Sequence, residues 1–353
     1  MTSEPRDRGR RRRRGRVGEG GRRLRSAGSA VAVSVLALSV GVLLNAPGLH
    51  KSATIQPEGW KRDAALAFTG PIESVSGALL LDRPRHALKA ALGRSDDDEI
   101  DTGVALPEPT PDDGETEPPP PPPRKTFTPQ RPLRLWIAGD SLVVVPGESI
   151  LRAVGESRAI RPIGPVDGHI ASGLERTDVF NWFKHVPTVL RKEKPGAVVL
   201  LFGGNDDHGF MTGLPEGKEI GPFASSSWTA EYRRRVGGIM DAVTRTGAYL
   251  VWIGLPITSD AEQTRRYDAI NAIVQTEAAK RPGRASYLDT YFFFAGDDGG
   301  YAQYVENDSG RLVRMRANDG VHFERAAGDL IARQVLRRLN QRHDLTSWRR
   351  DRD

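Results

Sequence analysis

Residues 135–151 read LWIAGDSLVVVPGESIL, and within them an apolar run ends at Gly139-Asp140-Ser141 before a second apolar run begins. This pattern is typical of a buried strand followed by a tight turn and a helix. Asp and Ser are common at such turns, because their side chains accept hydrogen bonds from backbone N–H groups at helix starts. The tripeptide alone therefore leaves two interpretations of Ser141 open, a capping serine or a nucleophile.

Short apolar runs recur along the second half of the chain and alternate with longer helical patterns. The apolar runs are residues 133–138, 197–203, 248–254 and 285–289, and the helical patterns are residues 225–247, 260–280 and 324–340. Strands that are apolar on both faces and alternate with helices are typical of a doubly wound parallel sheet. The sequence therefore predicts an α/β domain over residues 133–342, with a three-layer, flavodoxin-like arrangement. Ligands of such sheets bind at the carboxyl ends of the strands.

Charge is unevenly distributed along the 353 residues. The formal net charge is +6, but residues 1–26 hold 11 arginines against three acidic side chains, which leaves 40 basic and 42 acidic side chains in the remainder. The excess of basic residues is confined to this tail, and the rest of the chain is close to neutral. The charge of the predicted folded domain therefore argues against a nucleic-acid partner. The chain contains no cysteine, which excludes disulfides, thiolate metal sites and cysteine nucleophiles.

Residues 26–49 carry no formal charge and follow directly on the arginine-rich tail. An apolar helix of about 20 residues crosses a bilayer, and the basic flank predicts a cytoplasmic amino terminus. We therefore expect a basic cytoplasmic tail at 1–26, a single-pass anchor in the cytoplasmic membrane at 27–46, and an extracytoplasmic carboxyl-terminal domain. A cleaved signal peptide, a degenerate twin-arginine signal and an arginine-rich nucleic-acid arm are the alternatives.

Three further segments complete the predicted organisation. Residues 47–104 form a juxtamembrane segment, residues 105–132 form an acidic, proline-rich linker, and residues 343–353 form a charged tail. Six consecutive prolines at 118–123 favour an extended polyproline II spacer. A segment of this composition cannot bury a core, so its expected task is to hold the following domain away from the bilayer.

Polar residues follow the predicted strands where each strand ends. Gly139-Asp140-Ser141 follows the first strand, residues 203–206 (GGND) follow the second, and Asp319 and His322 follow the last. Because the carboxyl ends of parallel strands meet at one edge of a sheet, these residues are expected to lie close together.

This set of side chains contains what acyl transfer requires. A serine hydroxyl becomes a good nucleophile when an imidazole takes its proton, and His322 is placed to do so for Ser141. Asp319, three residues earlier, is placed to orient the ring and stabilise imidazolium. The amide of Asn205 is a candidate donor to the developing oxyanion. We therefore interpret Ser141 as a nucleophile.

These blocks resemble the SGNH (GDSL) hydrolases. The resemblance covers about residues 133–342 and rests on GDS at 139–141, Ser-Gly at 172–173, GGND at 203–206 and DGVH at 319–322, in that order. The surrounding sequence is similar to a membrane-anchored bacterial branch of largely unknown function.

The resemblance implies a catalytic set of Ser141, Asp319 and His322. It also implies an oxyanion hole formed by the backbone N–H groups of Ser141 and Gly173 and by the side chain of Asn205. This chemistry implies no cofactor and no metal ion. Gly168 competes with Gly173 for the second oxyanion position.

Other polar residues receive simpler interpretations. We interpret Asp140 and Asp206 as carboxylates that hold turns, His208 as a loop residue, and His169 and His185 as structural or surface histidines. The acidic, glycine-rich residues 295–310 lack the spacing of a calcium loop and favour a substrate-facing loop.

Several function classes remain open from the sequence. The first is an esterase that removes acyl groups, expected to be acetyl groups, from cell-envelope carbohydrate. The second is an O-acyltransferase that uses a glycan hydroxyl as acceptor and receives the acyl group from a membrane acyl-donor protein. A lipid or small-ester hydrolase, and a binding module with a vestigial site, are the alternatives.

Overall fold

The computed structural model describes residues 27–54, 60–81, 83, 120–215, 220–307 and 309–347. The predicted basic tail at 1–26 and most of the predicted proline-rich linker lie outside these residues.

Three helices occupy the amino-terminal part of the described chain: α1 Ala27–Leu44, α2 Ala46–Thr54 and α3 Trp60–Ala78. α3 contacts both of the others, and the Ser76 hydroxyl donates a hydrogen bond of 2.7 Å to the carbonyl oxygen of Leu43. Among the residues that the structure describes, no helix is both long and apolar enough to span a membrane. The anchor predicted at 27–46 therefore receives no support from the structure.

A parallel sheet forms the centre of the remaining chain. Its strands run in the order β3-β2-β5-β6-β7, and β4 pairs with the last residues of β2. Over the described residues the strands are β1 Lys125–Thr126, β2 Leu133–Gly139, β3 Ile160–Pro162, β4 Asp167–Gly168, β5 Ala197–Leu201, β6 Tyr249–Ile253, β7 Ala285–Leu288, β8 Tyr304–Glu306, β9 Leu312–Arg314 and β10 His343–Asp344. The four strands predicted from apolar runs are confirmed as β2, β5, β6 and β7.

Helices cover both faces of this sheet. They are α4 Val144–Gly155, α5 Trp182–Glu193, α6 Ser226–Arg245, α7 Ala261–Ala279 and α8 Arg325–Arg342. α4 packs on α8, while α6 packs on α5 and α7. Every residue of β5 and β6 is buried, and because side chains alternate between the faces of a strand, both faces must be covered. The predicted α/β class with a parallel sheet is confirmed.

The packed domain extends past both of its predicted bounds. β1 pairs in parallel with β10, and the Arg124 guanidinium donates a hydrogen bond of 2.8 Å to the carbonyl oxygen of Asn340. Leu345 is buried. The end of the linker predicted at 105–132 and the start of the tail predicted at 343–353 thus belong to the folded body. Backbone pairing between the two ends of the domain stabilises both, although neither segment is apolar enough to signal a strand.

β2 ends where the turn at Asp140-Ser141 begins, and its last residue must be a glycine. Gly139 pairs with Leu201 of β5, and a Cβ atom built on Gly139 would overlap the carbonyl oxygen of Leu201. The close approach of these two strands places the turn at 140–141 directly beside the end of β5.

Candidate active site

Ser141 opens a single 3₁₀ turn, Ser141–Val143, between β2 and α4. The preceding residue, Asp140, caps this turn by accepting a hydrogen bond of 2.8 Å from the backbone N–H of Leu142. The cap keeps the chain from continuing as a strand. Ser141 therefore lies at the carboxyl end of β2, and ligands of such sheets bind at the carboxyl ends of the strands.

His322 lies between Ser141 and Asp319. Its Nε2 atom is 2.9 Å from Ser141 Oγ, and its Nδ1 atom is 2.8 Å from Asp319 Oδ2. The other oxygen of Asp319 accepts hydrogen bonds of 2.9 Å from the backbone N–H groups of Val321 and His322. The structure thus brings the three predicted residues into a continuous chain of hydrogen bonds.

Asp319 is held in its charged form. Partial burial would raise the pKa of its carboxyl. Hydrogen bonds from the backbone N–H groups of Val321 and His322 and from the His322 imidazole have the larger, opposite effect and lower the pKa to about 2. An ionised Asp319 accepts from Nδ1 of His322 and stabilises imidazolium. Nε2 is then free to accept the proton of Ser141.

A glycine and a buried arginine shape the loop that carries His322. Gly320 has φ +71° and a Cβ there would overlap Ser259 Oγ. The buried guanidinium of Arg316 donates a hydrogen bond of 2.6 Å to the carbonyl oxygen of Ile257 and another to that of Val321. Burial lowers the pKa of Arg316 to about 10. Sequence reasoning missed Arg316, because a lone arginine before the DGVH block carries no distinctive pattern.

The predicted oxyanion donors lie on three segments: Ser141 in the turn after β2, Gly173 in the loop after β4, and Asn205 in the loop after β5. The side-chain amide of Asn205 donates a hydrogen bond of 3.0 Å to the carbonyl oxygen of Ser172, the residue before Gly173. The backbone N–H groups of Ser141 and Gly173 donate to no residue that the structure describes. Both N–H groups are therefore available to an oxyanion.

The structure distinguishes the two candidate glycines. Gly168 belongs to β4 and pairs with Gly139, and a Cβ on Gly168 would lie 3.1 Å from Val144 Cγ2, an ordinary side-chain neighbour. A Cβ on Gly173 would overlap the carboxylate of Asp206. The backbone at Gly173 therefore approaches the GGND loop in a way that only glycine permits, which favours Gly173 over Gly168.

Two buried carboxylates join the loops of the site, in agreement with their interpretation as turn-holding groups. Asp206 accepts hydrogen bonds from the N–H groups of Leu174 and Glu175, at 2.8 and 3.0 Å, and from the Tyr232 hydroxyl at 2.8 Å. Burial raises the pKa of Asp206 and raises the pKa of Asp140 to about 7. These groups hold the backbone and do not face the reacting hydroxyl.

Glu175 is a further buried carboxylate that sequence reasoning missed. It accepts hydrogen bonds of 2.7 Å from the Trp228 indole and 3.2 Å from the N–H of His208. Burial raises the pKa of Glu175 to about 8. His208 is half exposed, and its Nδ1 lies 3.0 Å from the carbonyl oxygen of Asn205. His208 is therefore a loop residue that contacts the backbone of Asn205, one of the predicted oxyanion donors.

Residues 295–310 contain β8 and several turns that are held by their own side chains. Asp298 accepts a hydrogen bond of 2.9 Å from the N–H of Gly300, and Asn307 accepts one of 3.0 Å from the N–H of Arg311. The side chains of Asp298 and Asn307 are thus engaged in local turns.

Four sequence blocks that are far apart in the chain meet at the carboxyl edge of a parallel sheet. A serine, a glycine, an asparagine and a histidine supplied in this order on an α/β domain define the SGNH class of hydrolases, so the resemblance is confirmed. The chain belongs to the family described as protein of unknown function (DUF459), which it matches over residues 134–338.

Other comparisons give distant likenesses. TesA shares 19% identity with a TM-score of 0.38, covering 59% of this chain and 99% of its own. The family 3 carbohydrate esterase of Clostridium thermocellum shares 14% with a TM-score of 0.38, covering 59% and 98%. Axe2, an acetylxylan esterase from Geobacillus stearothermophilus, shares 17% with a TM-score of 0.38, covering 58% and 92%. No curated protein matches the chain. Likenesses at this level transfer neither activity nor substrate.

Proposed function

We propose that this protein is a serine esterase that hydrolyses short acyl esters through an acyl-serine intermediate. The observation that carries the proposal is the position of His322, whose two ring nitrogens lie 2.9 Å from Ser141 Oγ and 2.8 Å from Asp319 Oδ2. A hydroxyl, a base and an orienting carboxylate at these distances form the unit that activates a serine.

In the acylation step, Ser141 Oγ attacks the acyl carbon while its proton moves to Nε2 of His322. The carbonyl oxygen becomes an oxyanion that receives hydrogen bonds from the N–H groups of Ser141 and Gly173 and from the Asn205 amide. Asp319 stabilises the imidazolium. When the intermediate collapses, the C–O bond to the alcohol breaks and His322 returns the proton to the leaving oxygen.

In the deacylation step, water takes the place of the alcohol. His322 removes a proton from the water as it attacks the acyl carbon, and the same donors receive the second oxyanion. Collapse releases the carboxylic acid and returns the proton to Ser141. Together the two steps consume one ester and one water molecule and form one carboxylic acid and one alcohol.

The proposed substrates are acyl esters, foremost acetyl esters, of cell-envelope carbohydrate. The side chains of His322 and Asp319 are 42% and 50% exposed. An open site of this kind admits a small acyl group that projects from a bulky polymer. The same exposure admits water, which supports hydrolysis over transfer to a sugar hydroxyl.

An extracytoplasmic location is proposed on the charge pattern of the sequence. The arginine-rich residues 1–26 precede the uncharged residues 26–49, a polarity that keeps the amino terminus in the cytoplasm. Alkaline phosphatase, which is active only after export, fused after residue 60 should be active; an inactive but intact fusion contradicts this location.

The activity is tested on the full chain with a short-chain nitrophenyl ester and a serine-reactive phosphonate. We expect ester hydrolysis and phosphonate labelling of Ser141, both absent from Ser141→Ala and both present in Ser157→Ala, a matched change in the loop after α4. Hydrolysis that survives in Ser141→Ala contradicts the proposal.

Two reactions, both followed by mass spectrometry, test the substrate and the acceptor. In the first, the protein receives O-acetylated envelope oligosaccharides; in the second, it receives an acyl donor together with deacetylated oligosaccharides. We expect free acetate from the former and little acylated sugar from the latter. Acylated sugar that forms faster than free acid identifies a transferase. Turnover of lipid esters with no carbohydrate turnover identifies a lipid hydrolase.

A further inference from the structure

A cluster of metal-ligating side chains lies outside the catalytic set, formed by Asp167, His169 and His185. Asp167 Oδ1 lies 3.0 Å from His169 Nε2, and Asp167 Oδ2 lies 2.7 Å from His185 Nε2. Each of the three residues has a possible ligand atom that lies within 4.8 Å of the ligand atoms of the other two. We call these three residues the Asp–His–His cluster.

Regular backbone positions two members of the cluster, and a backbone hydrogen bond to the end of β2 holds the third, His169. Asp167 lies in β4, which pairs with the end of β2. The N–H of His169 donates a hydrogen bond of 2.9 Å to the carbonyl oxygen of Gly139. His185 lies in the first turns of α5, a helix that begins at Trp182. Sites on such elements hold their geometry better than sites on free loops.

Aromatic side chains surround the two imidazoles and restrict their orientation. The His169 ring stacks on Phe180 with centroids 3.5 Å apart, and the His185 ring meets Trp182 edge-on with centroids 5.6 Å apart. The indole N–H of Trp136 donates a hydrogen bond of 3.1 Å to Asp167 Oδ2. Metal ligands are characteristically oriented by such outer contacts, including hydrogen bonds to the ligating carboxylate.

We propose that the Asp–His–His cluster binds one divalent cation of the zinc type through Nε2 of His169, Nε2 of His185 and a carboxylate oxygen of Asp167. Two imidazole nitrogens and one carboxylate oxygen form a donor set that zinc accepts, with a fourth position for water. Bonds of about 2.1 Å in a tetrahedral site separate ligand atoms by about 3.4 Å. The closest contacts of the cluster are 2.7 and 3.0 Å, so small rotations of the side chains open the site.

Access and charge are both compatible with an ion. The side chains of His169, Asp167 and His185 are 35%, 23% and 30% exposed, so an ion can enter from solvent. Although burial would raise the pKa of Asp167, hydrogen bonds from both histidines lower it, and the carboxylate is ionised.

The position of the cluster gives the cation a structural role. His169 is four residues before Gly173, and the Ser172 hydroxyl donates a hydrogen bond of 2.6 Å to the carbonyl oxygen of His169. A cation that joins β4 to α5 through His169 therefore stabilises the loop that presents the Gly173 N–H group. The inference does not depend on the proposed esterase activity.

The test is zinc binding by the full chain after removal of metal with EDTA and removal of the chelator. Calorimetric titration with Zn²⁺ should show one equivalent bound, and Co²⁺ should produce the visible absorption of a four-coordinate site. His185→Gln and Asp167→Asn should each weaken zinc binding by at least about 100-fold, because removing a ligand costs more than removing an outer contact. His208→Gln, at another partly exposed histidine beside carboxylates, should bind zinc like the parent protein.

Two readouts separate loss of the site from loss of the fold. The melting temperature of the parent protein should rise with Zn²⁺ and that of folded His185→Gln should not. In the parent protein, Zn²⁺ should protect His169 and His185 from diethyl pyrocarbonate, as read by mass spectrometry. Absence of bound zinc, unchanged binding in both ligand variants, or unprotected histidines would overturn the proposal in favour of hydrogen bonding alone.

Discussion

Asp140 Oδ2 accepts a hydrogen bond of 2.8 Å from the backbone N–H of Gly204, although the two residues are 64 positions apart. The bond joins the turn that carries Ser141 to the turn that carries Asn205. A Cβ on Gly204 would lie 2.8 Å from Leu142 Cδ1, so glycine permits this approach. One carboxylate thus holds the turn that carries Ser141 and the turn that carries Asn205 in fixed relation.

Replacement of Asp140 should loosen the contact between the turn that carries Ser141 and the turn that carries Asn205. In Asp140→Asn a single oxygen remains to accept from Leu142 and Gly204, so one buried N–H loses its partner. We expect the free energy of unfolding to fall by about 1–3 kcal/mol, measured by urea unfolding, with a lower kcat. Asp329→Asn removes a surface pair with Arg152 and should cost at most about 1 kcal/mol. Equal losses in the two variants would contradict the role of Asp140.

The catalytic residues should act as one unit. Ser141→Ala and His322→Ala should each lower kcat for a nitrophenyl ester by about 10⁴- to 10⁶-fold, and the double variant should lose little more. Asp319→Asn should be milder, since Ser141 and His322 keep their contact. Additive losses would show that the two residues do not share a step.

The two glycines should respond differently to an added methyl group. Gly173→Ala places a Cβ onto the Asp206 carboxylate and must displace one of the two loops. In Gly168→Ala the closest neighbour of the Cβ is the Val144 side chain at 3.1 Å, which has to move by only a few tenths of an ångström. We expect a large loss of kcat in Gly173→Ala and a small one in Gly168→Ala. The opposite order, in proteins with matched circular dichroism, would reassign the oxyanion glycine.

Asn205→Ala removes the proposed side-chain donor and should lower kcat by about 10²- to 10³-fold with little change in KM, because the hydrogen bond strengthens only as the oxyanion forms. Asn318→Ala, which removes an exposed amide that accepts a hydrogen bond from Arg314, is the control. A loss confined to KM would show that Asn205 binds the ground state instead.

Glu175 should make stability depend on pH. Because its pKa is raised to about 8, the folded state keeps a proton that the unfolded state has lost above about pH 4.3. Unfolding then releases a proton, so the free energy of unfolding falls as the pH rises from about 5 to 8, by up to about 1.4 kcal/mol per pH unit. Urea unfolding of Glu175→Gln should show a shallower fall. Parallel pH profiles for the two proteins would exclude this contribution.

Local patterns in the sequence were sufficient for four strands of the sheet, β2, β5, β6 and β7, and for the sequence blocks of the candidate site. The buried run at 197–201 is apolar at every position, and such a run is recognisable without its neighbours. The GDS and DGVH blocks are equally local, since a turn, a cap and an orienting carboxylate act within three residues of each other. These features follow from short-range backbone chemistry and from the burial of apolar surface.

The tertiary structure alone decided the features that depend on contacts between distant segments. The pairing of β1 with β10, the close approach of Gly173 to Asp206, and the meeting of Asp167 with His185 each join residues whose local sequence gives no signal. Glu175 is an ordinary acidic residue in the sequence, and its pKa is raised only because packing buries its carboxyl and places the carboxylate of Asp206 nearby. Such properties arise from desolvation and hydrogen bonding by neighbours that packing supplies, and no pattern along the chain encodes which neighbours those are.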